Sequence, residues 1–357
     1  MVVTLVANNF VIKSRIKNYT LKFVNDFKKI IQKEYNVSDV LIIDKLVYDK
    51  HFKKFKIIDK KKIITVIVNE NSKEFSNIQK IIKILLKSGL KKNNKIIACG
   101  GGIIQDISSF IASILFRGVD WIFFPTTLLA QGDSCIGSKT SINFTTYKNQ
   151  LGTFYPPSKV FLDKIFLDTL NKRDINSGLG EILHYLIIGG KKSFNLLENH
   201  FIKKNTNYKA LIIESLKIKK KIIEIDEYDK KERIIFNYGH TFGHAIESTT
   251  NYKIPHGIAV SMGIDIANFF SVHYGYMNKE TKNKIKKILY KIWNLNDFKK
   301  IKCDKMIEAI KKDKKFQNQS INLILCSNFG SVFKKKFKID SNFRKLIKCY
   351  FDEKYNN

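Results

Sequence analysis

The segment from Asn237 to Gly257, NYGHTFGHAIESTTNYKIPHG, carries two histidines four residues apart and a third sixteen residues after the first. On a helix His240 and His244 share one face, one turn apart. His256 can return from a following loop behind Pro255. Three neutral imidazoles, or two imidazoles and a carboxylate, suit a divalent metal of the zinc type with an open coordination position. Any one of these histidines alone reads more simply as a surface or satisfied residue, so clustering carries the weight. Of seven histidines, four (His184, His240, His244, His256) fall in two short glycine-containing segments. The second segment, SGLGEILHYLIIGG from Ser177 to Gly190, places Glu181 and His184 three apart on a predicted helix, and Glu181 is a candidate to complete the metal site.

A different chemistry is suggested by CGGGIIQD, Cys99 to Asp106, which follows a strand-like run and precedes a helix-like one. Consecutive glycines there let the backbone approach a phosphate at the helix N-terminus. The turn is not the first-strand GxGxxG of the usual dinucleotide fingerprint, so spacing alone does not say whose phosphate it cradles. The stretches Arg117 to Asn143 and Lys148 to Pro157 gather Thr126, Thr127, Asp133, Lys139, Lys148 and Asn149 around short apolar strands.

These groups must be carried by a scaffold, and the pattern indicates two unlike halves. From residue 1 to 172, apolar strands (Val40 to Ile43, Ile63 to Val68, Ile96 to Ala98, Trp121 to Phe124, Val160 to Leu162) alternate with helix-like segments such as Phe75 to Ser88 and Ile107 to Phe116. Such alternation indicates an α/β domain, a Rossmann-like parallel sheet covered by helices. Residues 173 to 357 carry helical periodicity almost throughout, clearest at Ala210 to Glu227, Thr241 to Thr249, Ile258 to His273 and Lys279 to Trp293, which predicts a mainly α-helical C-terminal domain. The active site is expected in the cleft between them. The lysine-rich stretches Lys217 to Lys221 and Lys334 to Lys338 read mostly as solvated faces, Lys219 excepted, and the tail after Phe351 is expected to fray.

With 357 residues the chain can build two cores, and its 44% hydrophobic content is ordinary. Its formal charge of +32 is not. Such a balance raises a basic nucleic-acid-binding protein as an alternative. The lysines, however, are spread along the whole chain with abundant Ile and Asn, as codon bias would spread them, and no RNP, zinc-finger or basic-zipper motif is visible, so no dedicated nucleic-acid or membrane partner is expected. Five cysteines without CxxC spacing suit buried thiols in a reducing compartment. The opening MVVTLVANNF lacks the features of a secretory signal, and no apolar run approaches twenty residues. A soluble cytoplasmic protein is expected.

Taken in order, GGGxxxD, RGxxxxxxPTTLLAQxDSxxGxKT, KNxxGxFYPP, GLxE and RxxxNxGHTFGHAIE, with HG twelve residues beyond its last His, resemble the 3-dehydroquinate synthase family of sugar-phosphate cyclases from about Asp44 to Lys315. The resemblance implies an NAD-dependent, zinc- or cobalt-containing lyase that converts 3-deoxy-arabino-heptulosonate 7-phosphate to 3-dehydroquinate and phosphate. It implies Glu181, His240 and His256 as metal ligands, which makes His244 a proton-transfer or phosphate-contacting residue instead. NAD would be met by Asp44, Glu70, Lys73, Gly101, Gly102, Asp106, Thr126, Thr127 and the turn from Phe166 to Thr169, with Lys139 and Lys148 also near it. From the residues alone, Asp44 is equally a helix-capping aspartate. Substrate would be met by Asp133, Lys139, Lys148, Asn149, Lys219, Arg233, Asn237, His244 and Lys315, with Lys219 and Arg233 on its carboxylate. A counterpart of Arg117 reaches in from a neighbouring subunit, which implies a homodimer.

Four departures bear on this. His184 stands where the family has a lysine that touches substrate hydroxyls, which leaves a paralogous cyclase with another sugar phosphate as an alternative. Ile258 replaces a glutamate, removing a candidate partner for a histidine ligand. Gly132 departs from the common wording of its loop, and Ser138 in place of glycine narrows the backbone's approach. Retention of Arg233 and Asn237 favours a carboxylated substrate. A metal-dependent polyol dehydrogenase would share most of the architecture, but the GxKT and KNxxGxFYPP loops argue against it.

Overall fold

A computed structural model of the chain describes residues 9–55, 57–145, 147–312 and 318–355. The chain divides into two compact units, one formed by everything up to Leu170 together with Ile223–Tyr228, the other by Asn171–Ile222 and the chain from Asp229 onward.

The first unit is built on strands β1 (Asn9–Ile12), β2 (Tyr19–Val24), β3 (Val40–Asp44), β4 (Ile63–Val66), β5 (Lys95–Gly100), β6 (Asp120–Pro125), β7 (Ile142–Phe144), β8 (Tyr147–Leu151) and β9 (Lys159–Asp163). Seven of them form one sheet in the order β1-β2-β9-β6-β5-β3-β4, antiparallel between β1 and β2 and parallel elsewhere. The central strands read as continuous apolar runs because both their faces are buried. On one face Leu41, Ile43, Ile97, Cys99, Ile122, Phe124 and Phe161 meet Phe27, Ile31, Phe52 and Phe166 in a single cluster. Helices α1 (Phe27–Glu34), α2 (Lys45–Val47), α3 (Phe75–Lys87) and α4 (Gly102–Ile114) complete the unit, with α4 packed along β5 and β6. From β3 the chain goes to β4 on one side, then crosses to β5 on the other, so the sheet's switch point lies between β3 and β5. Open parallel sheets bind ligands at the carboxyl ends of such a pair. Asp44 ends β3 there, and the Gly100 to Gly102 turn ends β5.

The second unit holds α5 (Lys172–Ile188), α6 (Lys191–Ile202), α7 (Lys209–Ile223), α8 (His240–Thr249), α9 (His256–His273), α10 (Lys279–Ile292), α11 (Leu295–Phe298), α12 (Cys303–Lys311) and α13 (Ser341–Tyr355), with one antiparallel hairpin of β10 (Ser320–Asn328) and β11 (Ser331–Lys338). Among described residues no helix is long and apolar enough to cross a membrane.

Several expectations are corrected. The KNQL segment lies on strand β8 of a small hairpin with β7 rather than in a loop. Lys334 to Lys338 lie on strand β11, so the second half is less uniformly helical than its periodicity predicts. Helix α7 stops at Ile223, short of the predicted Glu227, and Ile223–Tyr228 belongs to the first unit. The cause is Glu227, whose buried carboxylate accepts from Ser14 Oγ (2.7 Å), Arg15 N (2.7 Å) and Ser138 Oγ (2.6 Å). The tail does not fray at Phe351, because α13 continues. Lys354 Nζ lies 2.6 Å from Asp265 Oδ2, both side chains are buried, and Tyr350 donates to the same oxygen at 2.9 Å. All five cysteines are free thiols, three of them buried.

Candidate metal centre and nucleotide turn

Two helix pairs in the second unit come unusually close because glycine stands at each crossing. A Cβ on Gly180 of α5 would lie 2.0 Å from Gly257 O, and one on Gly257 of α9 would lie 1.8 Å from Ser177 O. Likewise a Cβ on Gly263 of α9 would lie 2.0 Å from the carbonyl of Gly239, the left-handed residue (φ +79°) that caps α8. No larger residue permits these backbones to touch, and their contact brings Glu181 of α5, His240 of α8 and His256 of α9 to one point. His256 is the first residue of α9 behind Pro255 rather than a loop residue.

Glu181 is 1% exposed, and its Oε1 has no hydrogen bond of acceptable geometry. That oxygen lies 3.1 Å from His256 Nε2 and 3.6 Å from His240 Nε2. A tetrahedral zinc with bonds near 2.1 Å separates its ligand atoms by about 3.4 Å, and the two distances bracket that value. A buried carboxylate oxygen left without a donor is costly, and a divalent cation between it and two imidazoles would satisfy it. The ring tautomers agree. His240 Nδ1 lies 3.2 Å from Tyr238 O and His256 Nδ1 lies 2.9 Å from Glu247 Oε2, so each Nδ1–H has an acceptor and each Nε2 keeps its lone pair for the centre. Burial alone would lower the pKa of His256. The Glu247 and Glu181 carboxylates outweigh it and hold the imidazole well above the usual histidine range.

The missing Glu at position 258 therefore does not deprive the ligand of a partner. Ile258 is buried, and Glu247, one turn beyond His244, engages His256 instead. Sequence reasoning missed that role, although the i, i+3, i+7 spacing of His240, Gly243 and Glu247 marks a shared helix face. His244 is exposed and outside the buried group, its ring stacked 5.7 Å from that of His256. His184 is fully buried, its ring edge-on to those of Tyr185 (4.8 Å), Phe236 (6.1 Å) and His240 (5.1 Å). Lys219 of α7 and Arg233 of the turn before α8 are buried cations of the same unit. The Lys219 ammonium sits 5.9 Å over the Tyr185 ring, and Tyr185 meets Phe236 at 4.9 Å, which connects it to the His184 and His240 rings. Asn237 donates to Ile234 O. Lys315 lies outside the described residues.

In the first unit the glycine turn is a cradle that side chains would fill. A Cβ on Gly101, the cap of α4, would lie 3.0 Å from Thr127 Cγ2, and one on Gly100 would strike Ile104. Gly102 opens the helix, whose free N–H groups suit a pyrophosphate. Thr126 is buried just after β6, and Thr127 Oγ1 accepts from Ala130 N. Asp44 caps α2 by accepting from Leu46 N at 2.8 Å. Phe166 places its ring in the core beside Phe27, so that turn offers a ligand backbone rather than the aromatic ring, while Thr169 Oγ1 meets His51.

Beside the turn runs a polar network. Lys73 Nζ bonds Asp106 Oδ2 (2.6 Å) and Asn149 Oδ1 (2.8 Å), Ser141 N donates to Asp106 Oδ1 (3.1 Å), and Lys148 pairs with Glu70 (3.1 Å). Burial pushes the Asp106 carboxyl up despite Lys73. The structure thus joins Asn149 and Lys148 to Glu70, Lys73 and Asp106. Asp133 is half-buried, and Lys139 and Arg117 are exposed. Ser138 is accommodated in the left-handed region (φ +63°) with its hydroxyl on Glu227, so the serine is used rather than merely tolerated.

Two family models match the chain, the 3-dehydroquinate synthase N-terminal domain over residues 63–177 and the 3-dehydroquinate synthase C-terminal domain over residues 178–316. The chain belongs to the 3-dehydroquinate synthase family. A 3-dehydroquinate synthase of Campylobacter hominis is 38% identical over 290 residues, spanning 81% of this chain and 83% of that protein. Among solved structures, 2-deoxy-scyllo-inosose synthase complexed with carbaglucose-6-phosphate, NAD+ and Co2+ has a TM-score of 0.80 at 23% identity over 97% of this chain and 99% of that one. The 2-epi-5-epi-valiolone synthase of Streptomyces hygroscopicus, with NAD+ and Zn2+ bound, has a TM-score of 0.82 at 20% identity over 96% and 99%. These two share the fold, and the family membership makes the chain an enzyme of the cyclase type.

Proposed function

We propose that this enzyme converts 3-deoxy-arabino-heptulosonate 7-phosphate to 3-dehydroquinate and phosphate, with NAD and a zinc or cobalt ion as cofactors. The observation that carries the reading is the buried Glu181 oxygen set between the Nε2 atoms of His240 and His256. When bound, NAD would take and return a hydride at C5 while the metal polarises the adjacent hydroxyls. Glu181, His240 and His256 would hold the metal, and the glycine turn with Asp44, Thr126 and Thr127 would hold the dinucleotide. Arg233 and Lys219, both buried, would fix the substrate carboxylate, the guanidinium fork suiting both of its oxygens.

Lys139, Asn149, His244 and Lys315 would bind the phosphate and orient one of its oxygens to take the C6 proton as the C7–O bond breaks. The ring then opens, and the resulting enol closes on the C2 ketone by an aldol step, so NAD ends the turnover as it began. Arg117, which is exposed, would reach a second copy of the chain in a homodimer. The second reading, a paralogue cyclising a different sugar phosphate, is favoured by His184, which is buried among aromatic rings where a family lysine would reach substrate hydroxyls. The test is to measure metal content and turnover in His240→Ala and His256→Ala. Both should lose both properties, and full activity in a variant without bound metal would sink the reading.

A further inference from the structure

Glu247 is an acidic side chain that touches the centre and is given no part in the proposed chemistry. It projects from α8 onto the first residue of α9, with its Oε2 2.9 Å from His256 Nδ1 and its side chain 14% exposed. A histidine has two ring nitrogens, and the one that binds a metal is chosen by what the other one does. Here the other one faces a carboxylate. His256 stands at the start of α9 with about a third of its side chain exposed, and the side chain of Ile258 two residues on offers no polar atom. His240, by contrast, has the Tyr238 carbonyl for the same purpose, from a segment fixed two residues away in its own chain.

We propose that Glu247 is a positioning residue of the metal centre. It holds His256 as the Nδ1–H tautomer with the ring turned so that Nε2 faces Glu181. This rests on the metal-centre reading above. His244, Glu247 and His256 also converge closely enough to be ligands themselves. Glu181 is 1% exposed against 14% for Glu247, and His244 is exposed, which assigns the ion to the Glu181 side and the hydrogen bond to the Glu247 side.

The experiment uses the full chain stripped of metal, titrated with Co2+ against a competing chelator and followed by the visible ligand-field bands. One Co2+ per chain should bind in the wild type. Glu247→Ala should weaken it about 10–100-fold, as losing an outer partner of a metal-bound histidine does. Glu247→Gln keeps an acceptor for Nδ1–H and should recover most of the affinity, with band positions close to wild type. Thermal unfolding of the stripped proteins checks that each variant folds, and if the alanine variant does not, Glu247→Leu, which fills similar volume without an acceptor, takes its place with the same expected loss. Unchanged affinity in a folded variant that lacks the acceptor overturns the proposal, as does binding of two ions per wild-type chain, which would make Glu247 a ligand. Failure of the wild type to bind Co2+ at all would instead overturn the metal-centre reading beneath it.

Discussion

Gly257→Ala tests how the centre is assembled without touching any ligand. The added Cβ would start 1.8 Å from Ser177 O, 2.8 Å from Ser177 C and 3.3 Å from Glu181 N, whereas real Cβ contacts stop near 3.0 Å, so the first turn of α9 must retreat from α5 by about 1.2 Å. The Gly257 N to Ser177 Oγ hydrogen bond at 3.1 Å lies in the same contact. His256 is the adjacent residue, and Glu181 lies one turn beyond Ser177, so the retreat opens the Nε2 to Oε1 distance directly. Metal–ligand bonds tolerate about 0.2 Å, far less than the shift. Overpacking alone should reduce stability by about 1–3 kcal/mol, while the ligand displacement should weaken metal binding by about 10–100-fold, the scale on which disturbing a ligand's support is felt. Metal content after gel filtration, Co2+ titration and urea unfolding of the stripped protein separate the two effects. A folded Gly257→Ala protein that keeps wild-type metal affinity would refute the idea that the α5–α9 approach sets the ligand spacing.

Arg233→Ala should weaken the carboxylated substrate by about 1.5–3 kcal/mol, the worth of a charge-assisted hydrogen-bonded pair, and leave NAD binding unchanged in calorimetry; equal weakening of both would indicate a folding defect instead. The Glu247 and Glu181 carboxylates hold the His256 imidazole well above the usual histidine range, so in the metal-free protein a proton competes with the metal for this ring. A metal must displace that proton, so affinity should fall as pH is lowered through the raised value, and binding near neutral pH should release a proton. Affinity independent of pH across that range would contradict the assignment. Lys354→Met should destabilise the protein by about 3–5 kcal/mol by leaving Asp265 buried without its cation, read by urea unfolding; unchanged stability would mean that the end of α13 is not anchored by this pair.

The residues that could be read from the sequence are those whose signal is local. The glycine turn after β5 and the histidines one turn apart on α8 announce themselves by spacing, and the apolar strand runs announce a sheet with both faces covered. What escaped depends on contacts between distant segments. Glu247 looks like an ordinary helix-surface residue until α9 places His256 against it. The β10–β11 hairpin hides because Lys334 to Lys336 obscure its alternation, and Lys354 reads as a solvated tail residue although Asp265, far earlier in the chain, buries it. Helix α7 ends early because Glu227, itself part of the first unit, is claimed there by Ser14, Arg15 and Ser138, which no helical period could signal. Asp44, left open between cap and cofactor contact, caps α2 in this structure.

The most direct test of the central claim is phosphate release from 3-deoxy-arabino-heptulosonate 7-phosphate by the purified chain, with NAD below the substrate concentration and added zinc or cobalt, and with the organic product identified. The account predicts phosphate far in excess of NAD, no standing NADH, and 3-dehydroquinate as product. Folded, metal-loaded, NAD-binding protein that releases no phosphate from this substrate would contradict it and shift the assignment to a cyclase whose His184 serves another sugar phosphate.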